Sequence, residues 1–188
     1  MSQETAQGTD WLQRAGRQFL ARFKELSRDE LHAKPPSGGW SRAQVVQHML
    51  LAYGGTVAEL ERRLAKGAPT KRLRTPKEQI QQFVLIRCGY FPPGRKAPQF
   101  VDPELTTVPP LDGPEMGAEY RRQVGELSTA IAKAETVWGR SVAIATHPIL
   151  GPLSGPQWRK FHAVHTLHHA KQMDRVCAAL RAQDKSSA

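Results

Sequence analysis

Cysteine is nearly missing from this chain: Cys88 and Cys177 are the only two in 188 residues, and they do not form a CxxC pair. A dense disulfide framework is therefore excluded, and the usage fits a reducing compartment. Long apolar runs are missing as well. The opening MSQETAQGTDW is polar and acidic, with no apolar stretch behind a basic start, and no later run approaches the length of a membrane span. A soluble cytoplasmic protein with no membrane partner is expected. The motifs HExxH, GxSxG, GxGxxG and the P-loop do not occur. That removes the usual helical zinc-protease arrangement, with its glutamate base between two histidine ligands, and the common phosphate-cradling loops. Strand signal is almost absent, and there is no internal repeat.

What is present is ordinary in bulk and unusual in two respects. Apolar residues make up 39% of the chain and charged ones 23%, as in a folded globular protein. The length suits one domain over 1–188, with 1–9 and 183–188 as flexible tails. The first unusual feature is the net charge of +10. Nucleic acid, membrane surfaces and anionic small molecules are all candidates for such a chain. However, the basic residues are scattered, and KRLRTPK at 71–77 has neither interleaved aromatics nor a reading helix beside it, so most are assigned to solvated faces and nucleic acid is not the expected partner.

Five helical segments are predicted. The first covers 10–31, with Trp11, Ala15, Phe19, Phe23 and Leu26 at helical spacing. The second opens at Ser41, three residues before Gln44 in a capping-box pattern, and ends near Lys66 and Gly67. The third starts with Thr75 as N-cap, Pro76 at the first position and Glu78 at the third, and extends to about Tyr90. Residues 92–114 hold half of the chain's 14 prolines and are read as a long surface connection of the kind that often borders a site. The fourth helix covers about 115–138. The last runs from Ser154 to about Arg181. The sum is an all-α antiparallel bundle with one shorter helix, in which sites are assembled from facing helices.

The second unusual feature is FHAVHTLHHAKQM at 161–173, which packs four of the chain's seven histidines into one helix. Residues four apart share a helical face, so His165 and His169 could reach a common ion, but His162 with His165, or His165 with His168, are also spaced to do so. A metal site needs at least a third ligand. His48, alone in the apolar stretch QVVQHMLLAYGG, and His147 in THPILG are the candidates. The competing interpretations are a buried, hydrogen-bonded His48 without a ligand role and a surface histidine tract that binds metal adventitiously.

Two stretches carry a resemblance. HPILGPLSGPQWRKFHAVHTLHHAKQM at 147–173 and GGWSRAQVVQHMLLA at 38–52 resemble the last-helix and second-helix segments of the DinB-like (damage-inducible) superfamily, in particular a branch of unknown function. The resemblance implies a four-helix bundle with a three-histidine site for a divalent metal, zinc or nickel. Carried over by position, the ligands fall on His48, His165 and His169. His168 then lies at the rim, Gln172 is a polar neighbour, and His147 matches the family's HP segment without an assigned role. Relatives of this type include thiol S-transferases that use bacillithiol or mycothiol and a mycothiol-dependent maleylpyruvate isomerase. The resemblance thus implies a metal-dependent S-transferase, ahead of a hydrolase or isomerase, with a low-molecular-weight thiol and an anionic or electrophilic small-molecule substrate, in a homodimer. The alternatives are a non-catalytic metal-binding or stress-associated protein and, third, a basic nucleic-acid-binding module.

Overall fold

Four helices of this protein begin at complete capping boxes, in which the N-cap side chain accepts from the third backbone N–H and the third side chain reaches back to the N-cap amide. They are Ser27 with Glu30, Ser41 with Gln44, Thr75 with Glu78 and Asp112 with Glu115. The computed structural model describes residues 3–91 and 96–186. Its helices are α1 (Gln3–Leu20), α2 (Arg28–His32), α3 (Arg42–Ala65), α4 (Pro76–Gln82), α5 (Gly113–Trp138) and α6 (Gly155–Ser186). Of the tails expected at 1–9 and 183–188, residues 1–2 and 187–188 lie outside the described residues.

The long helices α1, α3, α5 and α6 form the bundle, with α1 along α6 and α3 along α5. Phe19, Phe23 and Tyr120 pack in the core with ring centroids 5.2–5.9 Å apart, and Leu12, Met49, Leu60, Leu127 and Ile131 are fully buried around them. Truncating such a phenylalanine to alanine costs about 3–5 kcal/mol. The start of α6 is tied to α5 by a buried ion pair in which Arg159 donates to Glu135 at 2.5 Å. Gly155 is required there, because a Cβ at that position would lie 2.2 Å from the Glu135 carboxylate oxygen.

Three expectations need correction. The helix predicted over 10–31 is two helices separated by a turn. The Ser27 capping box offers the backbone a new helix start at that point, and Gly113 seals the break by donating its amide to the Leu26 carbonyl at 2.8 Å. The third segment is α-helical only to Gln82 and continues as a π-helical turn, Phe83–Arg87, closed by the Cys88 amide on the Phe83 carbonyl at 3.0 Å. Finally, the stretch before α6 is a hairpin, β1 (Ala143–His147) antiparallel to β2 (Gly151–Ser154), with a register shift between Ala143 and Ala145. Its turn is held from a distance: the Gln82 amide donates to the carbonyls of Leu150 and Pro152 at 2.7 and 3.1 Å. The proline-rich connection contains two short 3-10 turns, Gln99–Val101 and Pro103–Leu105, and the first of them reaches into the protein.

Candidate metal centre

His48 lies in the second turn of α3, on the face that carries Val45, Met49 and Tyr53 into the core. His165 and His169 lie one turn apart on α6 and face it. All three are buried, with 4–9% of their surface exposed. His165 Nε2 is 3.3 Å from His48 Nε2 and 3.0 Å from His169 Nε2. Nitrogens bound tetrahedrally at about 2.0–2.1 Å from zinc would lie about 3.3 Å from one another, so the separations match a shared ion.

The outer nitrogens determine what the inner ones carry. His48 Nδ1 is 2.7 Å from the Val101 carbonyl, and a carbonyl only accepts, so the proton of a neutral His48 is on Nδ1. His169 Nδ1 likewise donates to Gln172 Oε1 at 2.7 Å. Both Nε2 atoms are then bare lone pairs facing inward. His165 has a single proton to offer and could satisfy only one of them from Nε2. A second proton is disfavoured: burial, then the neighbouring imidazoles, push His165 well below its ordinary pKa, and burial, then His48 and His168, do the same to His169. Burial also lowers His48. Three converging acceptors with one proton between them fit a divalent cation and fit little else.

The surroundings are aromatic. Trp40, in the turn before α3, lies 5.1 Å from the His48 ring and nearly parallel to His169 at 6.5 Å. Phe91 stacks on His165 at 5.6 Å and on His168 at 4.8 Å, and Phe161 stacks on His165 at 5.4 Å. His165 Nδ1, unlike its counterparts, is buried with no hydrogen-bond partner among the described residues. His168 is half-buried at the edge of the cluster, and its pKa is lowered by burial and then by Arg175 and Lys171.

Two of the seven histidines lie elsewhere, His147 half-buried and His162 buried. His147 Nδ1 accepts the amides of Ile149 and Leu150, both at 3.0 Å, and so clips the hairpin turn; burial lowers its pKa to about 4. Its ring lies 4.6 Å from that of Phe161, which in turn stacks on His165. His162 is completely buried one turn below the triad, with Nε2 3.1 Å from Thr56 Oγ1 and a pKa lowered to about 3 by burial.

Spacing left the pairs open, and the structure brings His48, His165 and His169 together and leaves His162 and His147 out. The sequence reading had no means of finding the Val101 carbonyl, since a backbone acceptor leaves no residue signature. Phe161 could have been found, because it stands four residues before His165 on the same helical face.

The family model for the DinB superfamily matches residues 12–173, a range that includes all three histidines. This chain belongs to the DinB superfamily. An uncharacterized protein of Bacillus subtilis (strain 168), YuaE, is 27% identical over 155 residues, covering 82% of this chain and 87% of its own length. No solved structure matches this DinB-superfamily chain.

Proposed function

We propose that the protein is a divalent-metal-dependent enzyme of the thiol-transfer type, with His48, His165 and His169 as the ligands of zinc or nickel. The observation that carries this reading is the tautomer count: the Val101 carbonyl and Gln172 fix protons on two outer nitrogens, which leaves two inward lone pairs of which a neutral His165 can satisfy only one. A divalent cation at such a site lowers the pKa of a thiol or water that binds it, giving a nucleophile at neutral pH. The protein's part is positioning and selection. Trp40 and Phe91, both half-buried, wall the cluster on the side of α3 and the side of the π-helical turn. Lys171 and Arg175, on the exposed side of α6 beside His168, place positive charge where an anionic substrate or thiol would approach.

The test starts from untagged protein stripped with a chelator and reloaded with zinc or nickel. One metal per chain is expected, and His48→Ala, His165→Ala and His169→Ala should each abolish stoichiometric loading. Retention of a full equivalent by any of the three sinks the triad. Thiol consumption is then followed with several electrophiles, and the loaded protein should consume thiol where the stripped one does not.

One observation favours a second reading, a non-catalytic metal-binding protein. All three histidines are buried behind aromatic side chains, with 4–9% of their surface exposed. Cobalt(II) distinguishes the two: added thiol alters the visible spectrum of an open site and leaves that of a closed site unchanged.

A further inference from the structure

Each of the three histidines needs something to fix its ring, and the three solutions differ. His48 is held by the Val101 carbonyl and His169 by the Gln172 amide. Such outer contacts set ligand orientation, and losing one typically weakens metal binding about 10–100-fold. His165 is the central member, with an Nε2 close to both others, yet its Nδ1 has no partner among the described residues. What it has is two phenyl rings lying nearly parallel to its own, Phe91 at 22° and Phe161 at 15°.

The two rings arrive by different routes. Phe161 is presented by α6 itself, one turn before His165. Phe91 follows the π-helical turn Phe83–Arg87, which itself packs Leu85 and Ile86 into the core. After that turn the Tyr90 amide bonds the Val84 carbonyl at 3.1 Å, and Gly89, at φ +67°, bends the chain against α6, where a Cβ would lie 3.7 Å from Val164. The reversal delivers Phe91 to His165 and His168, while the preceding Tyr90 is left exposed. π-Helical turns of this kind are frequent at functional sites.

We infer that Phe91 and Phe161 are the positioning residues of His165: stacking fixes the central imidazole in the way that hydrogen bonds fix the outer two, and the reversal after the π-helical turn supplies Phe91. This rests on the three-histidine reading above. An aromatic pair contributes about 0.5–1.5 kcal/mol beyond its burial, so the loss of one stack should weaken metal binding roughly threefold to tenfold.

The experiment uses the full chain, with zinc affinity measured by competition against a chromophoric chelator and metal-free thermal unfolding measured in parallel. Phe91→Leu should bind zinc roughly threefold to tenfold more weakly than the wild type, Phe91→Tyr should restore the affinity to within about twofold, and Tyr90→Leu should leave it unchanged. Because Phe91 is half-buried, the metal-free Phe91→Leu chain should still unfold cooperatively, which separates positioning from folding. In the cobalt(II)-loaded protein, Phe91→Leu should also shift the visible bands, which a loss of stability alone would not do. Wild-type zinc affinity in Phe91→Leu overturns the inference, as does weakening in Phe91→Tyr equal to that in Phe91→Leu. A wild-type chain that binds no zinc removes the three-histidine reading and this inference together, whereas tight wild-type binding with an indifferent Phe91→Leu removes only the stacking role.

Discussion

His162 and His165 stand one turn apart on the same helix, both buried and both with pKa values driven down by burial, yet they are different kinds of residue. His162 has a partner that can both give and take. The Thr56 hydroxyl donates to the Ala52 carbonyl at 3.0 Å and accepts from His162 Nε2, so the one proton of a neutral imidazole is used there, although Nδ1, like that of His165, is buried without a partner among the described residues. His165 faces two other imidazoles whose protons are committed elsewhere. Burial and a depressed pKa are common to both regions and identify neither, whereas counting protons against acceptors separates them.

The largest test of that difference is a matched pair of variants. His165→Ala should weaken zinc binding by more than about 100-fold, beyond the range seen when only an outer contact is lost. His162→Gln, in the neighbouring region, should change the affinity by less than about threefold while lowering the unfolding midpoint. Competition titration and thermal melts of the two proteins settle it. Comparable zinc losses in both variants would show that the cluster does not divide as described.

A smaller effect separates the regions by pH. His162 has its pKa lowered to about 3 in the folded chain, so on acidification the unfolded chain takes up the proton first. The stabilisation is fully present above about pH 6.5 and drains away as the pH falls from there towards 3, reaching at most about 3 kcal/mol of loss by pH 4. His147, lowered to about 4, contributes with the same sign. Denaturant midpoints of metal-free protein from pH 7 to pH 4 give the slope, and the difference between wild type and His162→Phe isolates the share due to His162, since the triad is common to both. Parallel wild-type and His162→Phe curves over that range would remove the assignment.

The same contrast explains what could be read in advance. The capping boxes at Ser41 and Thr75 were legible because a cap is a contact between residues three apart. Ser27 with Glu30 has the same pattern but sits inside a continuous apolar periodicity, so the longer-range signal concealed the break between α1 and α2. The hairpin was hidden because its turn is clamped by Gln82, nearly seventy positions away, and β2 contains Gly151 and Pro152, which are poor strand formers. In the centre, spacing on α6 restricted the candidates without choosing among them. The choice came from resemblance, and the geometry places the same three histidines together. The carbonyl of Val101 and the aim of Phe91 are properties of backbone path, and nothing in the side-chain pattern announces a backbone path.

The smallest prediction concerns the hydroxyls that join the two regions to the core. Thr166, next to His165, donates to the His162 carbonyl at 2.6 Å, so it accepts from Tyr53 at 2.6 Å, and Tyr53 in turn accepts from Tyr120 at 3.1 Å. Burial raises both phenols, Tyr53 to about 12, so they stay protonated and the direction of the chain is fixed. Tyr53→Phe takes from the buried Tyr120 hydroxyl its acceptor at 3.1 Å, leaving it only Thr166, and should cost about 1–2 kcal/mol, with zinc affinity unchanged. Adding Tyr120→Phe removes the stranded group, so the double variant should lose less than the sum of the two single losses. Additive losses in a urea double-mutant cycle would mean that the hydroxyls do not act as one chain, and a parallel loss of zinc affinity would mean that the polar core below the triad also sets its geometry.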